Sequence, residues 1–112
     1  MQIDERVIGD ILIMAVTGEI TLNQGGDVML KDKVRSLIQQ GHRKLVVDLG
    51  KVSYVDSAGL GELVQAYATM KGAGGALKLV GLTKRIKDLL TITKLVTVFE
   101  TYDNEAAALG SF

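Results

Sequence analysis

Residues 45–71 read LVVDLGKVSYVDSAGLGELVQAYATMK, and the fold depends on how this stretch is parsed. Leu45-Val46-Val47 is an apolar run of strand character, closed by Asp48 and Leu49. Gly50 is expected to break it, leaving Val52 to Val55 as a second short extended piece. From Leu60 the period changes. Leu60, Leu63, Val64, Tyr67 and Ala68 recur at i, i+3, i+4, i+7 and i+8, the spacing of one helix face. Asp56 and Ser57 stand at the junction, where side-chain oxygens accept the free N–H groups of a first helical turn. The stretch reads as strand, loop, helix. Its polar junction lies where the helix dipole favours an anion, so a hydroxyl there is either an ordinary cap or a point of phosphate attachment.

Working outward, Ile3 to Val7 reads as a first strand, Ile8-Gly9-Asp10 as a turn and Ile11 to Val16 as a second strand. The two are close enough for a hairpin, and a continuous apolar run such as ILIMAV suits a strand covered on both faces. Gly18-Glu19-Ile20 is expected to lead into a loop. A helix is expected over Asn23 to Gln40, with Leu30, Val34, Leu37 and Ile38 on one face, Val28 opposite them and Gly41 ending it. The pair Gly25-Gly26 blurs its start. After a turn at residues 72–75, Ala76 to Val80 reads as a strand ending at Gly81. Thr83 caps a helix with Ile86, Leu89 and Leu90 inward and Lys84, Arg85 and Lys87 outward. Residues 91–95 fit either state. Val96 to Thr101 reads as a last strand, and Asp103 or Asn104 caps a short helix from Glu105 to Leu109.

The order β-β-α-β-α-β-α-β-α places helices between strands and therefore implies a mainly parallel sheet. The expected fold is a single α/β domain over residues 1–112: a mixed, mainly parallel sheet of about five strands, about four helices, and the N-terminal hairpin at one edge.

Composition removes several function classes. Lys+Arg and Asp+Glu both number 13, so the net charge is zero, and nucleic-acid binding by excess basic charge is not expected. No apolar run approaches the ~20 residues that cross a bilayer. The start MQIDERVIGD has neither the basic nor the apolar region of a signal peptide, so the expected location is the cytoplasm, without a membrane role. The absence of Cys excludes disulfides and thiolate chemistry, and a single His, His42, excludes a multi-histidine metal site. Neither a metal nor a cofactor is expected.

Catalytic sets are incomplete. Asp48, Asp56 and Glu62 are carboxylates near the junction, but no spacing pairs them for acid–base work. Ser57 lies outside a G-x-S-x-G elbow, and His42 sits beside a helix-ending Gly. Gly59-Leu60-Gly61 would need a third glycine where Val64 stands to make a dinucleotide fingerprint. The basic run Lys84-Arg85-Ile86-Lys87 reads as a solvated helix face. A binding module, not an enzyme, is the expectation.

The run VVDLGKVSYVDSAGLGELV, with Asp48-Leu49 ending a strand and Asp56-Ser57-Ala58-Gly59-Leu60-Gly61 opening a helix, resembles the signature of STAS domains, specifically bacterial anti-sigma factor antagonists. Length and element order agree over nearly the whole chain. Ala58 departs from the pattern, where many phosphorylatable members carry Ser or Thr. The resemblance implies a domain that binds a kinase-type anti-sigma factor and so frees a sigma factor. It implies phosphorylation at Ser57 by that serine kinase, release of the kinase by the phosphorylated form, and restoration by a PP2C-type phosphatase. STAS accessory subunits of lipid-transport ABC ATPases carry a similar junction and form the alternative. The expected partner-binding surface comprises Asp56, Ser57, Ala58, Gly59, Gly61, Glu62 and Gln65, with Ala66 and Thr69 on the same outward side. A monomer is expected, with a dimer as the alternative.

Overall fold

The computed structural model describes residues 1–22 and 26–112, and for residues 26–28 the backbone alone. The expected helix start at Asn23, the Gly25 position and the outward placement of Val28 lie outside the described residues. Among the described residues, nine elements follow in the expected order: β1 (Gln2–Ile8), β2 (Ile11–Ile20), α1 (Gly26–Gln39), β3 (Lys44–Val55), α2 (Ser57–Gly72), β4 (Ala76–Val80), α3 (Lys84–Ile92), β5 (Glu100–Tyr102) and α4 (Glu105–Leu109). The sheet order is β1-β2-β3-β4-β5, with β1 antiparallel to β2 and the other neighbours parallel.

Strand β3 is central because its side chains alternate between two covered faces. Leu45, Val47 and Leu49 enter the larger cluster with Leu30, Val34 and Leu37 of α1, Leu60 and Leu63 of α2, and Ile86 and Leu90 of α3. Val46 points the other way, into a smaller cluster with Ile11, Ile13, Val80 and Ala108 of α4. That two-sided cover is the reason for unbroken apolar runs in β2 and β3.

Gly50 does not break β3. Ala15 and Thr17 of β2 pair with Asp48 and Lys51, and Gly18 and Glu19 with Val52 and Tyr54. Strand β3 therefore carries an extra residue at each irregularity, and β-bulges keep the ladder running. The same pairing extends β2 through Gly18-Glu19-Ile20, which the sequence assigns to a loop.

The last strand is also shorter than expected. Lys94 adopts φ 60°, and Leu95 and Val96 N–H both donate to Leu90 O, at 2.8 and 3.1 Å. These turn bonds hold Val96 to Val98 at the end of α3, so only Glu100–Tyr102 joins the sheet. β-branched residues follow tertiary context here, not propensity.

Local stop signals fare better. Gly41 has φ 94°, its N–H donates to Ile38 O and that of His42 to Leu37 O, both at 3.0 Å, the paired bonds of a Schellman end to α1. Thr83 Oγ1 accepts from Ile86 N–H at 3.3 Å, and Asn104 Oδ1 accepts from Ala107 N–H at 2.9 Å.

Candidate functional site

Helix α2 begins at Ser57, directly past the end of β3, and Asp56 is its cap. The Asp56 carboxylate accepts from Gly59 N–H at 2.7 Å, and the first intrahelical bond runs from Leu60 N–H to Asp56 O at 2.8 Å. The other carboxylate oxygen accepts from Leu22 N–H at 3.1 Å, while Asp56 N–H donates to Ile20 O at 3.3 Å. Asp56 thus ties the segment after β2 to the start of α2. The Gly59 bond first, and the Leu22 bond second, hold its carboxyl below the ordinary value of 3.8, so it is ionised at neutral pH.

With the cap filled by Asp56, Ser57 has no capping duty. It is exposed at the first helical position, and its hydroxyl has no hydrogen-bond partner among the described residues. Ala58 is half-buried beside it.

Gly59 is buried and plays a packing part. A Cβ there would lie 1.9 Å from Ile20 O and 2.7 Å from Ile20 C, so α2 approaches β2 as closely as only glycine allows. Gly61 is exposed, and a Cβ there would meet nothing within 4 Å. The two glycines that looked equivalent in the sequence have different roles.

The outward face of α2 needs correction. Gln65 is exposed, but Glu62 and Ala66 are buried, Thr69 is half-buried and Ala68, expected inward, is exposed. Val64 and Tyr67, on the apolar face read from the spacing, are half-buried at the core margin, with Tyr67 edge-on to Phe99 at 5.5 Å. The cause is α1, which packs along α2 and covers a second side of it. The buried arc is centred on Leu63, Ala66 and Met70. Glu62 Oε1 accepts from Lys31 N–H of α1 at 3.2 Å, so this carboxylate joins two helices.

Two features, one beside Asp56 and one at the end of β3, carry no sequence signal. Leu22, 57% exposed, is brought beside Asp56 by a bond spanning 34 residues. Tyr54, at the end of β3, lies under the Arg85 guanidinium, 5.9 Å from the ring centroid. Tyr54 and Val55 line a groove of about 420 Å³ with Arg85, Leu89 and Ile92 of α3. The expected solvated face of Lys84, Arg85 and Lys87 is exposed as read.

His42 and Ser57 flank opposite ends of the twelve-residue β3, which at about 3.3 Å per residue keeps them far apart. They form no triad. No helix among the described residues is long and apolar enough to cross a membrane.

Known proteins resemble this chain over most or all of its length. The anti-sigma-B factor antagonist of Listeria monocytogenes is 33% identical over 115 aligned positions, covering 99% of this chain and 95% of that protein. The anti-sigma-B factor antagonist of Bacillus subtilis (strain 168) is 35% identical over 88, covering 73% of this chain and 80% of that protein. Among solved structures, the anti-sigma factor antagonist SpoIIAA of Bacillus shares the fold in its unphosphorylated form, with TM-score 0.72, 14% identity, and 98% and 96% of the two chains covered. Its phosphorylated form gives TM-score 0.73 at 14% identity, covering 99% and 100%. The STAS domain family profile matches residues 2–108, and the chain belongs to that family.

Proposed function

We propose that the protein is an anti-sigma factor antagonist whose binding face is switched by phosphate on Ser57. The observation that carries this reading is the division of labour at the start of α2. Asp56 supplies the cap and leaves the Ser57 hydroxyl exposed and unengaged. Relatives at 33 and 35% identity bear that functional name.

The electrostatics suit a switch without refolding. Asp56 already contributes one negative charge, and phosphate on the next residue adds about −1.5 to −2. The helix dipole tolerates an anion at this end. However, Asp56 already occupies the Gly59 N–H that such an anion would seek. The added charge therefore faces outward. A partner surface matched to a neutral hydroxyl loses binding through repulsion and desolvation. The partner in this reading is a serine kinase acting as the anti-sigma factor, with a PP2C-type phosphatase reversing the mark. The contact face comprises Asp56, Ser57, Ala58, Gly61 and Gln65, with exposed Leu22 as an apolar neighbour.

The test is incubation with the cognate kinase and ATP, followed by mass spectrometry of the peptide containing residues 52–71. Ser57→Ala should resist phosphorylation and keep binding, and Ser57→Asp should bind poorly. Phosphate on Ser53 or Thr69 with Ser57 untouched would refute the site. Equal kinase affinity of the phosphorylated and unphosphorylated forms would refute the switch.

A further inference from the structure

The two edges of the sheet differ. Edge strand β5 is three residues long, whereas β1 runs for seven with no register shift against β2, and six of its seven residues are exposed. Short or bulged edges resist pairing with another chain, and long regular ones invite it.

The hairpin defines which backbone groups β1 offers. Ile8 pairs with Ile11 across the two-residue turn Gly9-Asp10, with Gly9 at φ 62° as the first position of a II′ turn requires. The closing pair of such a hairpin is hydrogen-bonded, and bonded and non-bonded pairs alternate from it. Even-numbered residues of β1 therefore turn their N–H and C=O toward β2. Ile3, Glu5 and Val7 turn theirs to the open edge.

We propose that this edge pairs with β1 of a second copy of the chain, antiparallel, with Glu5 on the two-fold axis. Three features select that register. It pairs Ile3 with the partner's Val7, Glu5 with the partner's Glu5 and Val7 with the partner's Ile3, so every outward group is bonded. A shift of two residues either way loses one of these bonded pairs. It also sets Asp4 against the partner's Arg6, and Arg6 against the partner's Asp4, in the non-bonded pairs whose side chains stand closest. The shifted registers instead place Asp4 or Arg6 against its own copy. The third feature concerns the like charges at the axis. Each Glu5 carboxylate has the Lys33 ammonium of its own α1 at 3.4 Å, which offsets their repulsion. Arg6, on the other face, pairs with Glu105 and keeps donors free for a second carboxylate.

A seven-residue ribbon buries less surface than a standard stable interface, so the dimer is weak and its population rises with concentration. The association uses β1, away from Ser57, and does not rest on the reading of that site.

The experiment is sedimentation velocity on the whole chain from micromolar to millimolar, with Val7→Pro alongside. Proline removes an outward N–H but none that faces β2, so the fold should persist while dimer affinity falls by about tenfold or more. The register is tested by oxidative crosslinking, since the natural chain has no Cys. A single cysteine at position 5 meets its own copy across the axis at a Cα separation of about 5.5 Å, within disulfide reach. A single cysteine at position 4 meets Arg6. Glu5→Cys should therefore crosslink about tenfold faster than Asp4→Cys. A wild type that stays monomeric at millimolar concentration overturns the proposal, as does a dimer that persists in folded Val7→Pro or equal crosslinking at the two positions. Should Val7→Pro fail to fold, the cysteine comparison decides alone.

Discussion

Replacing Gly59 and Gly61 by alanine, one at a time, separates packing from surface on a single helical turn. At Gly59 the new Cβ would stand 1.9 Å from the Ile20 carbonyl oxygen. Ordinary van der Waals contact begins at 3.4 Å, so the start of α2 must retreat by about 1.5 Å. The obstacle is backbone in a sheet, which cannot rotate aside as a side chain can. Overpacking of this kind costs about 1–3 kcal/mol. The retreat also stretches the Asp56 N–H bond to Ile20 O, already 3.3 Å long. A net hydrogen bond adds about 0.5–1.5 kcal/mol to the loss. Against these stands the helix preference of Ala over Gly, about 1 kcal/mol. The balance is destabilisation by about 0.5–3.5 kcal/mol. At Gly61 nothing lies within 4 Å. Only the propensity gain remains there, and Gly61→Ala should stabilise by up to about 1 kcal/mol. The propensity term is common to both sites, so the variants differ by about 1.5–4.5 kcal/mol; at about 4 °C per kcal/mol for a domain of this size, they should melt at least about 6 °C apart in calorimetry. Equal melting temperatures, or Gly59→Ala above the wild type, would show that α2 does not abut β2 as described.

Leu63 is 1% exposed, so Leu63→Ala should cost about 2–5 kcal/mol in urea unfolding; an unchanged midpoint would contradict its placement. Glu62→Lys should lower the melting temperature by breaking the link to α1, whereas Gln65→Lys should leave stability within about 0.5 kcal/mol and weaken kinase binding in calorimetric titration. The Gly59 and Leu22 bonds depress the folded-state pKa of Asp56, so their stabilisation is complete above the ordinary value of 3.8 and is lost as pH falls through the depressed one. Asp56→Asn can still cap the helix, and below that value its stability should fall less steeply with acid than the wild type's. Identical acid profiles would remove Asp56 from the account.

Much of the fold was legible because its signals are local. Period, Gly41 and the cap Thr83 act within a few residues of where they stand, so element order followed directly; at the other two starts the sequence offered adjacent candidates, Asp56 or Ser57 and Asp103 or Asn104, and the structure chose Asp56 and Asn104. The continuous run Ile11 to Val16 suited a strand covered on both faces, which is what β2 is. The position of Ser57 between strand and helix was readable for the same reason. The D-S-A-G-L-G motif that carries the resemblance is likewise a strand-to-helix junction.

Other features were decided by partners distant in the chain. Gly50 stays in β3 because β2 continues alongside it and bulges absorb the extra residues. Val96 to Val98 leave the sheet because Leu90 captures the backbone ahead of them. Glu62 turned inward because α1 covers a second side of α2, and a helical wheel assumes one buried side. Leu22 reached the Ser57 neighbourhood through a bond to Asp56 that no sequence spacing encodes. The sequence by itself determined the order of elements and that a capping residue and a hydroxyl meet at the start of α2, since each depends on backbone groups a turn away. Tertiary structure alone decided which glycine must be a glycine and which side of α2 meets solvent. Those depend on how closely α1 and β2 approach the helix, and that distance is a property of the packed chain.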